Sequence, residues 1–277
     1  MKRIVTIQDV SCVGKCSLTV ALPIISAMGV EAAVIPTAVL STHTAFSGFT
    51  FHDLTDEIEP ITEHWKKENI KFSAVYTGYL GSKRQLDICS KIFDDMKADG
   101  SLIFADPAMA DNGNLYKGFT KEFAREMASL CSKADIVVPN LTEASFMLDI
   151  PYVGDDYDRD YIKNVLVRLT ENGTKVACLT GVSFEEGKLG AMAYDSESGK
   201  FYEYYREKLP VSFHGTGDIF ASAMLGALAL EKGLEESMKI AVDYTVECIK
   251  ITCEHPDHNW YGVEFESAIP YLVERIK

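Results

Sequence analysis

The chain lacks any apolar run long enough to cross a membrane, and it has few basic residues for its length. Its 277 residues include 27 Lys and Arg against 41 Asp and Glu, which gives a formal net charge of −14. A chain this acidic is a poor non-specific ligand for nucleic acid or an anionic membrane, so we expect neither as a partner. An anionic ligand is not excluded, because local N–H groups or a metal ion can reverse the field within one cleft.

The sequence also lacks a paired cysteine pattern. Its seven cysteines are odd in number and scattered, with no C-x-x-C, so we expect reduced thiols in a cytoplasmic protein. The apolar run that begins at Ile4 is too short for a signal peptide. Cys248, Cys253, His255 and His258 could supply zinc ligands, but their spacing fits no common zinc site and favours a packing role.

No linker, repeat or low-complexity tract interrupts the chain, which favours a single domain over residues 1–277. Short apolar runs alternate with helical patterns as far as residue 180. The predicted strands cover residues 4–8, 32–37, 72–77, 102–105, 136–138 and 176–180. This order predicts a doubly wound α/β fold, with a mostly parallel central sheet and helices on both faces. Residues 189–194 and 200–205 flank a turn and predict a small antiparallel hairpin at the edge.

The most informative segment is His214-Gly215-Thr216-Gly217-Asp218, which precedes a helical pattern over residues 218–231. Glycines allow backbone N–H groups to turn toward one point, and the start of a helix adds further donors and a positive dipole end. Such a site suits a phosphate. A carboxylate beside it repels the anion, which makes sense if Asp218 takes a proton from an attacking nucleophile. The alternative is that Asp218 only caps the helix, and the residues alone leave both open.

Four further carboxylates follow predicted strands, at the edge where open α/β sheets bind ligands. They are Asp9, Asp106, Asp111 and Glu143. Carboxylates beside an anion site require cations, and Mg²⁺ bridging carboxylates, water and nucleotide phosphates would supply them. Each acid alone could serve a turn or a helix dipole, but the four together favour a cation site.

The segment Gly14-Lys15-Cys16-Ser17 has part of a Walker A pattern. The full pattern G-x-x-x-x-G-K-[ST] fails at Asp9 and at Cys16. We therefore predict a close loop before the first helix, with Lys15 exposed.

Taken together and in order, these residues resemble the pyridoxal/pyridoxamine kinases of the ribokinase superfamily. The matching segments are Ile7-Gln8, His43-Thr44, Gly78-Tyr79-Leu80-Gly81-Ser82, Asp106-Pro107-Ala108-Met109-Ala110-Asp111, Pro139-Asn140-Leu141-Thr142-Glu143 and Gly215-Thr216-Gly217-Asp218. The last segment is common to the superfamily and indicates a kinase. The segment that begins at Gly78 and the His43-Thr44 loop indicate a B6 vitamer as substrate.

The resemblance implies that Asp218 accepts the proton of the substrate's 5′-hydroxymethyl group, while N–H groups of Gly215, Thr216 and Gly217 hold the γ-phosphoryl oxygens. It places Mg²⁺ at Asp106, Asp111 and Glu143, and ATP at Asn140, Glu143 and Thr180. It places the vitamer at Asp9, His43, Thr44 and Tyr79. A monovalent cation (K⁺ or Na⁺) and a homodimer are also implied.

The chain departs from the resemblance at Asp9, where many relatives have a serine that bonds the pyridine ring. An acid there could pair with a protonated ring nitrogen or amine, which leaves open the preference among pyridoxal, pyridoxine and pyridoxamine. The expected activity is ATP-dependent phosphorylation of these vitamers. The alternatives are a hydroxymethylpyrimidine/phosphomethylpyrimidine kinase of thiamine synthesis and a non-catalytic B6-binding carrier on the same fold.

Overall fold

The computed structural model describes residues 2–211 and 213–277. The chain divides into two compact units, the first made of Met1–Ala74 with Arg206–Lys277 and the second of Val75–Tyr205. No helix within the described residues is long and apolar enough to cross a membrane. That residues 1–277 form a single domain stays a prediction.

The strands are β1 (Arg3–Ser11), β2 (Glu31–Leu40), β3 (Phe51–Asp53), β4 (Ala74–Thr77), β5 (Leu102–Ala105), β6 (Ala110–Asp111), β7 (Asn114–Leu115), β8 (Ile136–Val137), β9 (Val176–Val182), β10 (Lys188–Asp195) and β11 (Lys200–Glu207). The helices are α1 (Leu18–Ala27), α2 (Thr55–Lys67), α3 (Lys83–Ala98), α4 (Lys121–Cys131), α5 (Leu141–Met147), α6 (Arg159–Thr170), α7 (Thr216–Ala229), α8 (Leu234–Glu254) and α9 (Phe265–Arg275).

In the first unit, β1 pairs in parallel with β2, and β3 pairs antiparallel with the end of β2. Helix α7 packs between α1 and α8, and it is apolar around most of its circumference, as a buried helix requires. Gly226 of α7 lies against the side chain of Met28, so a Cβ at residue 226 would overlap the Met28 sulfur. This close approach fixes the position of α7, whose first turn carries Asp218.

In the second unit the strand order is β11-β10-β9-β8-β5-β4. Strand β8 runs parallel to β5 and β9, whereas β10 runs antiparallel to β9. The prediction of a mostly parallel sheet with helices and an antiparallel edge is therefore confirmed. The buried rings of Tyr76 on β4 and Phe104 on β5 meet edge to face, with centroids 5.6 Å apart.

Two short features of the fold were not predicted. Strand β3 contains only three exposed residues, so it carries no apolar pattern. Strands β6 and β7 form a hairpin whose turn residues, Asn112 and Gly113, have φ values of 49° and 78°. Positive φ at both turn positions is typical of the type I′ turn that Asn-Gly favours. The Asn112-Gly113 dipeptide is the feature of the sequence that could have predicted this hairpin.

A buried carboxylate joins three parts of the first unit. Asp243 of α8 is 5% exposed and accepts hydrogen bonds from Arg206 and from Arg275 Nε at 3.2 Å. Arg206 lies near the end of β11, where the second segment of the first unit begins, and Arg275 lies on α9. This network therefore links α8 to residue 206 and to α9.

Replacing Asp243 with Ala should lower the free energy of unfolding by about 3 kcal/mol, because two partly buried guanidinium groups lose their buried partner. Glu235→Ala is the control, since Glu235 pairs with Lys239 on the surface of the same helix and should contribute less than about 0.5 kcal/mol. Urea unfolding of both variants measures the difference. Equal losses would contradict a structural role for the Asp243 network.

Candidate active site

The glycine segment begins helix α7 in the way the sequence predicts, but two residues earlier, at Thr216. Gly215 is the N-cap residue, with φ 82°, and its carbonyl accepts from Ile219 N at 3.0 Å. A Cβ at residue 215 would overlap the carbonyl oxygen of Lys15. Glycine is therefore required both for the backbone conformation and for the packing of the 15–17 loop on the helix start. Because Gly215 has no side chain, it offers no cap to the first N–H groups of α7.

Asp218 lies half-buried in the first turn of α7. Burial raises the pKa of its carboxyl to about 7, and the negative charge of Asp9 adds to the increase. A hydrogen bond donated by the backbone N–H of Ser17 acts in the opposite direction. The carboxyl is consequently poised to accept or release a proton near neutral pH.

Asp9 is only 4% exposed, at the bulge where the pairing of β1 with β2 shifts register. The Ser11 hydroxyl donates to Asp9 Oδ2 at 2.9 Å, and the Ser17 hydroxyl is a second donor. Burial raises the pKa of Asp9, and these hydroxyls lower it in part. The Cys16 thiol lies beside this pair, and burial together with the charges of Asp218 and Asp9 raises its pKa, so it stays protonated.

His43 has both of its ring nitrogens in hydrogen bonds within the first unit. Nδ1 accepts from Ala45 N at 3.1 Å, which leaves Nε2 to donate to the carbonyl oxygen of Tyr261 at 3.1 Å. Burial and the nearby His214 ring lower the pKa of His43, which favours this neutral form. His43 therefore ties its loop to the segment that contains Tyr261, while Thr44 beside it is exposed.

The loop around His43 also carries an aromatic cluster. The Phe46 ring lies 4.5 Å from that of Trp260 and 5.5 Å from that of Tyr261, measured between centroids. Trp260 is 59% exposed. In the second unit, the half-buried ring of Tyr79 stacks on Phe119 at 5.5 Å.

Glu143 hydrogen-bonds the loop that follows β5, residues 106–109. This side chain is 3% exposed, and its two oxygens accept from Met109 N at 3.0 Å and from Asn140 N at 2.9 Å. Burial raises the pKa of Glu143 to about 7, although these backbone hydrogen bonds lower it in part. Glu143 thus fixes the loop that leads into the β6–β7 hairpin.

The other predicted residues of the second unit lie around this loop. Asn140 caps α5, accepting from Glu143 N at 2.9 Å, and its Nδ2 donates to the Ala110 carbonyl at 2.9 Å. Thr180 forms a bridge to Asn140 and its hydroxyl reaches the Pro139 carbonyl at 3.5 Å. One structural unit therefore brings together Glu143, Asn140 and Thr180.

Asp106 and Asp111 are the other two carboxylates that the sequence predicts at the cation site of this unit. Asp106 is 8% exposed, and its Oδ1 accepts from Ala108 N at 3.2 Å. Asp111 is exposed, and its two oxygens accept from the main-chain and side-chain N–H groups of Asn112 at 2.9 and 3.0 Å. Across residues 2–211 and 213–277, no three His, Cys, Asp or Glu side chains come together as a preformed metal centre.

Several residues at these sites escaped sequence reasoning. Ser11 and Ser17 contact the carboxylates, yet nothing in a serine's neighbours indicates which side chain it will meet. Tyr261 contacts His43 across 218 positions of sequence. Lys15 was predicted to be exposed, but it is partly buried, over the ring of Phe265 at 5.3 Å and paired with Glu266. The N-terminal loop thus packs on α9, which rules out a solvent-facing lysine.

A model of the phosphomethylpyrimidine kinase family matches residues 21–261. The chain belongs to this family. The assignment makes it a kinase, that is, a phosphotransferase, as the glycine segment predicts.

Three proteins similar to this chain carry different substrate names. A protein from Bacteroides thetaiotaomicron, named provisionally as a phosphomethylpyrimidine kinase and crystallised with pyridoxal, is 39% identical, with a TM-score of 0.92 over 98% of this chain and 95% of that chain. Pyridoxal kinase from Lactobacillus plantarum is 26% identical, with a TM-score of 0.87 over 99% and 97%. The hydroxymethylpyrimidine/phosphomethylpyrimidine kinase of Aquifex aeolicus is 25% identical over 70% of this chain and 76% of its own.

Alanine substitutions at two glycines of the glycine segment should have very different effects on the free energy of unfolding. Gly215→Ala should lower the free energy of unfolding by about 2 kcal/mol or more, because a Cβ there meets the Lys15 carbonyl at a positive φ. Gly217→Ala is the control, since a Cβ at residue 217 meets nothing within 4 Å. Urea unfolding distinguishes them. Equal stability of the two variants would show that the 15–17 loop does not pack on Gly215.

Asp218→Asn should be more stable than the wild type at pH 8. The unfolded carboxyl titrates near its ordinary value of 3.8 and the folded one near 7, so stability from the protonated form is lost as the pH rises between those values. Asparagine is neutral at every pH, so the variant loses no stability as the pH rises.

Calorimetry between pH 5 and 8 measures this effect as a rising difference in unfolding temperature between Asp218→Asn and wild type. Asp87→Asn is the control, because that carboxylate is 63% exposed on α3 and its replacement should give a small, flat difference. A difference that does not depend on pH at residue 218 would show that this carboxyl is not held in its neutral form.

Proposed function

We propose that the chain transfers the γ-phosphoryl group of ATP to the 5′-hydroxymethyl group of pyridoxal, pyridoxamine or pyridoxine. The observation that carries the proposal is the Asp218 carboxyl, half-buried at a glycine-lined helix start, with a pKa of about 7. A base with that pKa accepts a hydroxyl proton efficiently near neutral pH.

In this mechanism Asp218 takes the proton of the hydroxymethyl group as its oxygen attacks the γ-phosphorus. The new oxygen–phosphorus bond forms while the bond to the β-phosphate oxygen breaks, and ADP leaves. The main-chain N–H groups of Gly215, Thr216 and Gly217 stabilise the negative charge on the transferring group. They are preorganised by the left-handed Gly215 and by the Lys15 carbonyl packed against it.

An ATP-using kinase of this kind requires a divalent metal such as Mg²⁺. When bound, Mg²⁺ neutralises phosphate charge and orients the transferring group. The donor set fits this role at Asp106, a carboxylate at the end of β5. Glu143 and Asp111 have their oxygens in hydrogen bonds to N–H groups. Asp106 likewise accepts a hydrogen bond, from Ala108 N at 3.2 Å, and we propose that all three carboxylates would organise the metal.

For the nucleotide, we propose that Asn140 and Thr180 line the ATP phosphates, with Glu143 holding Asn140 in place. The proposal extends to a monovalent cation (K⁺ or Na⁺), a homodimer and a cytoplasmic location.

For the vitamer, we propose contacts with Asp9, His43, Thr44 and Tyr79. Asp9 would pair with a protonated ring nitrogen or amine. His43 already uses both ring nitrogens, so its contact would be through the ring face or edge. The pyridoxal bound to the 39% identical Bacteroides protein supports a B6 vitamer as substrate.

The second candidate function is phosphorylation of hydroxymethylpyrimidine. The family model and the Aquifex relative favour it. Both substrates carry a hydroxymethyl group on a nitrogen-containing aromatic ring, so Asp218 would act in the same way on either.

A coupled assay of ADP release with MgATP should show turnover on at least one B6 vitamer. The assay is run in parallel with pyridoxal, pyridoxine, pyridoxamine and hydroxymethylpyrimidine. If kcat/KM for the pyrimidine is greater by more than about tenfold, a difference of about 1.4 kcal/mol in transition-state stabilisation, the B6 assignment fails. Pyridoxal binding without turnover on any of the four would indicate a carrier.

Asp218→Asn in the same assay should lose about 10²-fold or more in kcat while still binding pyridoxal. Asp87→Asn controls for a generic loss of charge, and its rate should match the wild type. An unchanged rate in Asp218→Asn would refute the base role.

A further inference from the structure

The connection between helices α8 and α9 contacts two loops that the proposed mechanism uses. It covers residues 255–264, none of which belongs to the kinase site that the sequence predicts. Residues 260–262, the linking segment, make both contacts. Tyr261 contacts His43, and Gly262 contacts Lys15 in the loop before α1. Because neighbouring residues make the two contacts, a displacement of one is felt at the other.

Residue 262 must be a glycine because Lys15 approaches it closely. A Cβ at residue 262 would overlap the Cβ of Lys15 and lie 2.9 Å from its Cγ, whereas carbon atoms that are not bonded normally stay about 3.5 Å or more apart. The φ of Gly262 is not positive, so a residue with a side chain could adopt its backbone conformation. Packing on Lys15, and not the backbone, therefore requires glycine at this position.

Lys15 connects the linking segment to the glycine segment. Its side chain packs on Gly262, while its carbonyl oxygen occupies the place that a Cβ of Gly215 would need. The lysine is held further by Glu266, with which it pairs, and by the ring of Phe265, 5.3 Å from its Nζ. A bulkier residue at 262 would consequently push Lys15, and with it the carbonyl that packs on the start of α7.

The linking segment also holds the His43 loop. The carbonyl oxygen of Tyr261 accepts from His43 Nε2 at 3.1 Å. The Trp260 ring lies 4.5 Å from that of Phe46 and 6.1 Å from that of His43, measured between centroids. Although Trp260 is 59% exposed, the rings that it contacts within the described residues all belong to the His43 loop or to Tyr261. Its packing therefore serves this loop and not the core.

The two loops contact each other as well. A Cβ at Gly14 would lie 3.0 Å from Cδ2 of His43, and the His43 ring is 5.2 Å from that of His214, which precedes the glycine segment. Residues 14–15, 43–46 and 260–262 all belong to the first unit and pack on one another in a closed set. None of the three can shift without disturbing the other two.

We propose that the linking segment places the substrate's hydroxymethyl group against the glycine segment, with Trp260 and Gly262 as positioning residues. This inference rests on the proposed function, in which His43 and Thr44 contact the vitamer and the glycine segment holds the transferring phosphoryl group. The rate of phosphoryl transfer depends on where the attacking oxygen lies, and a misplacement of about 1 Å can cost about 10²-fold. The linking segment contacts the loops that hold both reactants, so it sets the distance between them.

The first test measures Gly262→Ala in two backgrounds. In the wild type, the added methyl group displaces Lys15, and kcat with pyridoxal should fall about tenfold or more. Lys15→Gly removes the atom that the methyl group would overlap, and glycine readily adopts the φ of 55° found there. In that background Gly262→Ala should lower kcat by less than about twofold.

Gly233→Ala is the matched control, because a Cβ at residue 233 meets nothing within 4 Å and its φ is −62°. Its kcat should equal that of the wild type. A purely structural role for Gly262 predicts a lower unfolding temperature with kcat unchanged in the folded protein. An unchanged kcat in Gly262→Ala, or equal losses in the two backgrounds, would overturn the proposal.

Trp260→Leu tests the other end of the linking segment without risk to the fold, because this ring is mostly exposed. Loss of its contacts with Phe46 and His43 should raise KM for pyridoxal about threefold or more and leave KM for ATP unchanged. Trp260→Phe keeps an aromatic ring and should restore KM. Trp65→Leu is the control: Trp65 packs on Phe72 at 5.1 Å, so its loss should lower the unfolding temperature and not change KM. An unchanged KM in Trp260→Leu contradicts the proposal, and decides against it even if Gly262→Ala does not fold.

A measurement on the free protein separates this inference from the proposed function. Nitrogen-15 NMR follows Nε2 of His43, which donates to the Tyr261 carbonyl, and it needs no turnover. The Nε2 resonance should shift in Gly262→Ala or in Trp260→Leu and stay in place in Gly233→Ala. An unshifted resonance in both linking-segment variants refutes the inference. Absence of turnover on every vitamer, with the shift present, would count against the proposed function alone.

Discussion

The first unit is organised around the cost of placing two carboxylates, Asp9 and Asp218, close together with little access to water. The Ser11 hydroxyl meets part of that cost by donating to Asp9 Oδ2 at 2.9 Å. The carbonyl of Lys15, in the loop before α1, packs against the start of α7, which requires a glycine at residue 215. Burial and the negative charge of Asp9 raise the pKa of Asp218 into the range where a carboxyl can act as a base at neutral pH.

The second unit must satisfy the backbone N–H groups of an irregular loop. A loop after a strand leaves N–H groups that need hydrogen-bond acceptors, and the Glu143 carboxylate, in the first turn of α5, provides two such acceptors. Its two oxygens thereby join the loop that follows Asp106 to the start of α5.

In the proposed mechanism, the chemistry of transfer and the choice of substrate depend on different parts of the chain. The chain is a kinase of the phosphomethylpyrimidine kinase family, and the proposed roles of the glycine segment and Asp218 would serve any hydroxymethyl substrate. Substrate choice in that mechanism would depend on residues such as Asp9 on β1 and on the aromatic residues near His43.

The sequence by itself determined the α/β class, most element positions and the identity of the glycine segment, because these follow from local periodicity and from backbone conformations that only certain residues adopt. Strand β3 was too short and exposed to give such a signal. Only the tertiary structure decided that the Lys15 carbonyl packs on Gly215, and that His43 bonds Tyr261, 218 residues away. A side chain's partners, and with them the pKa of Asp218, depend on which distant segments pack beside it, and local sequence does not record that.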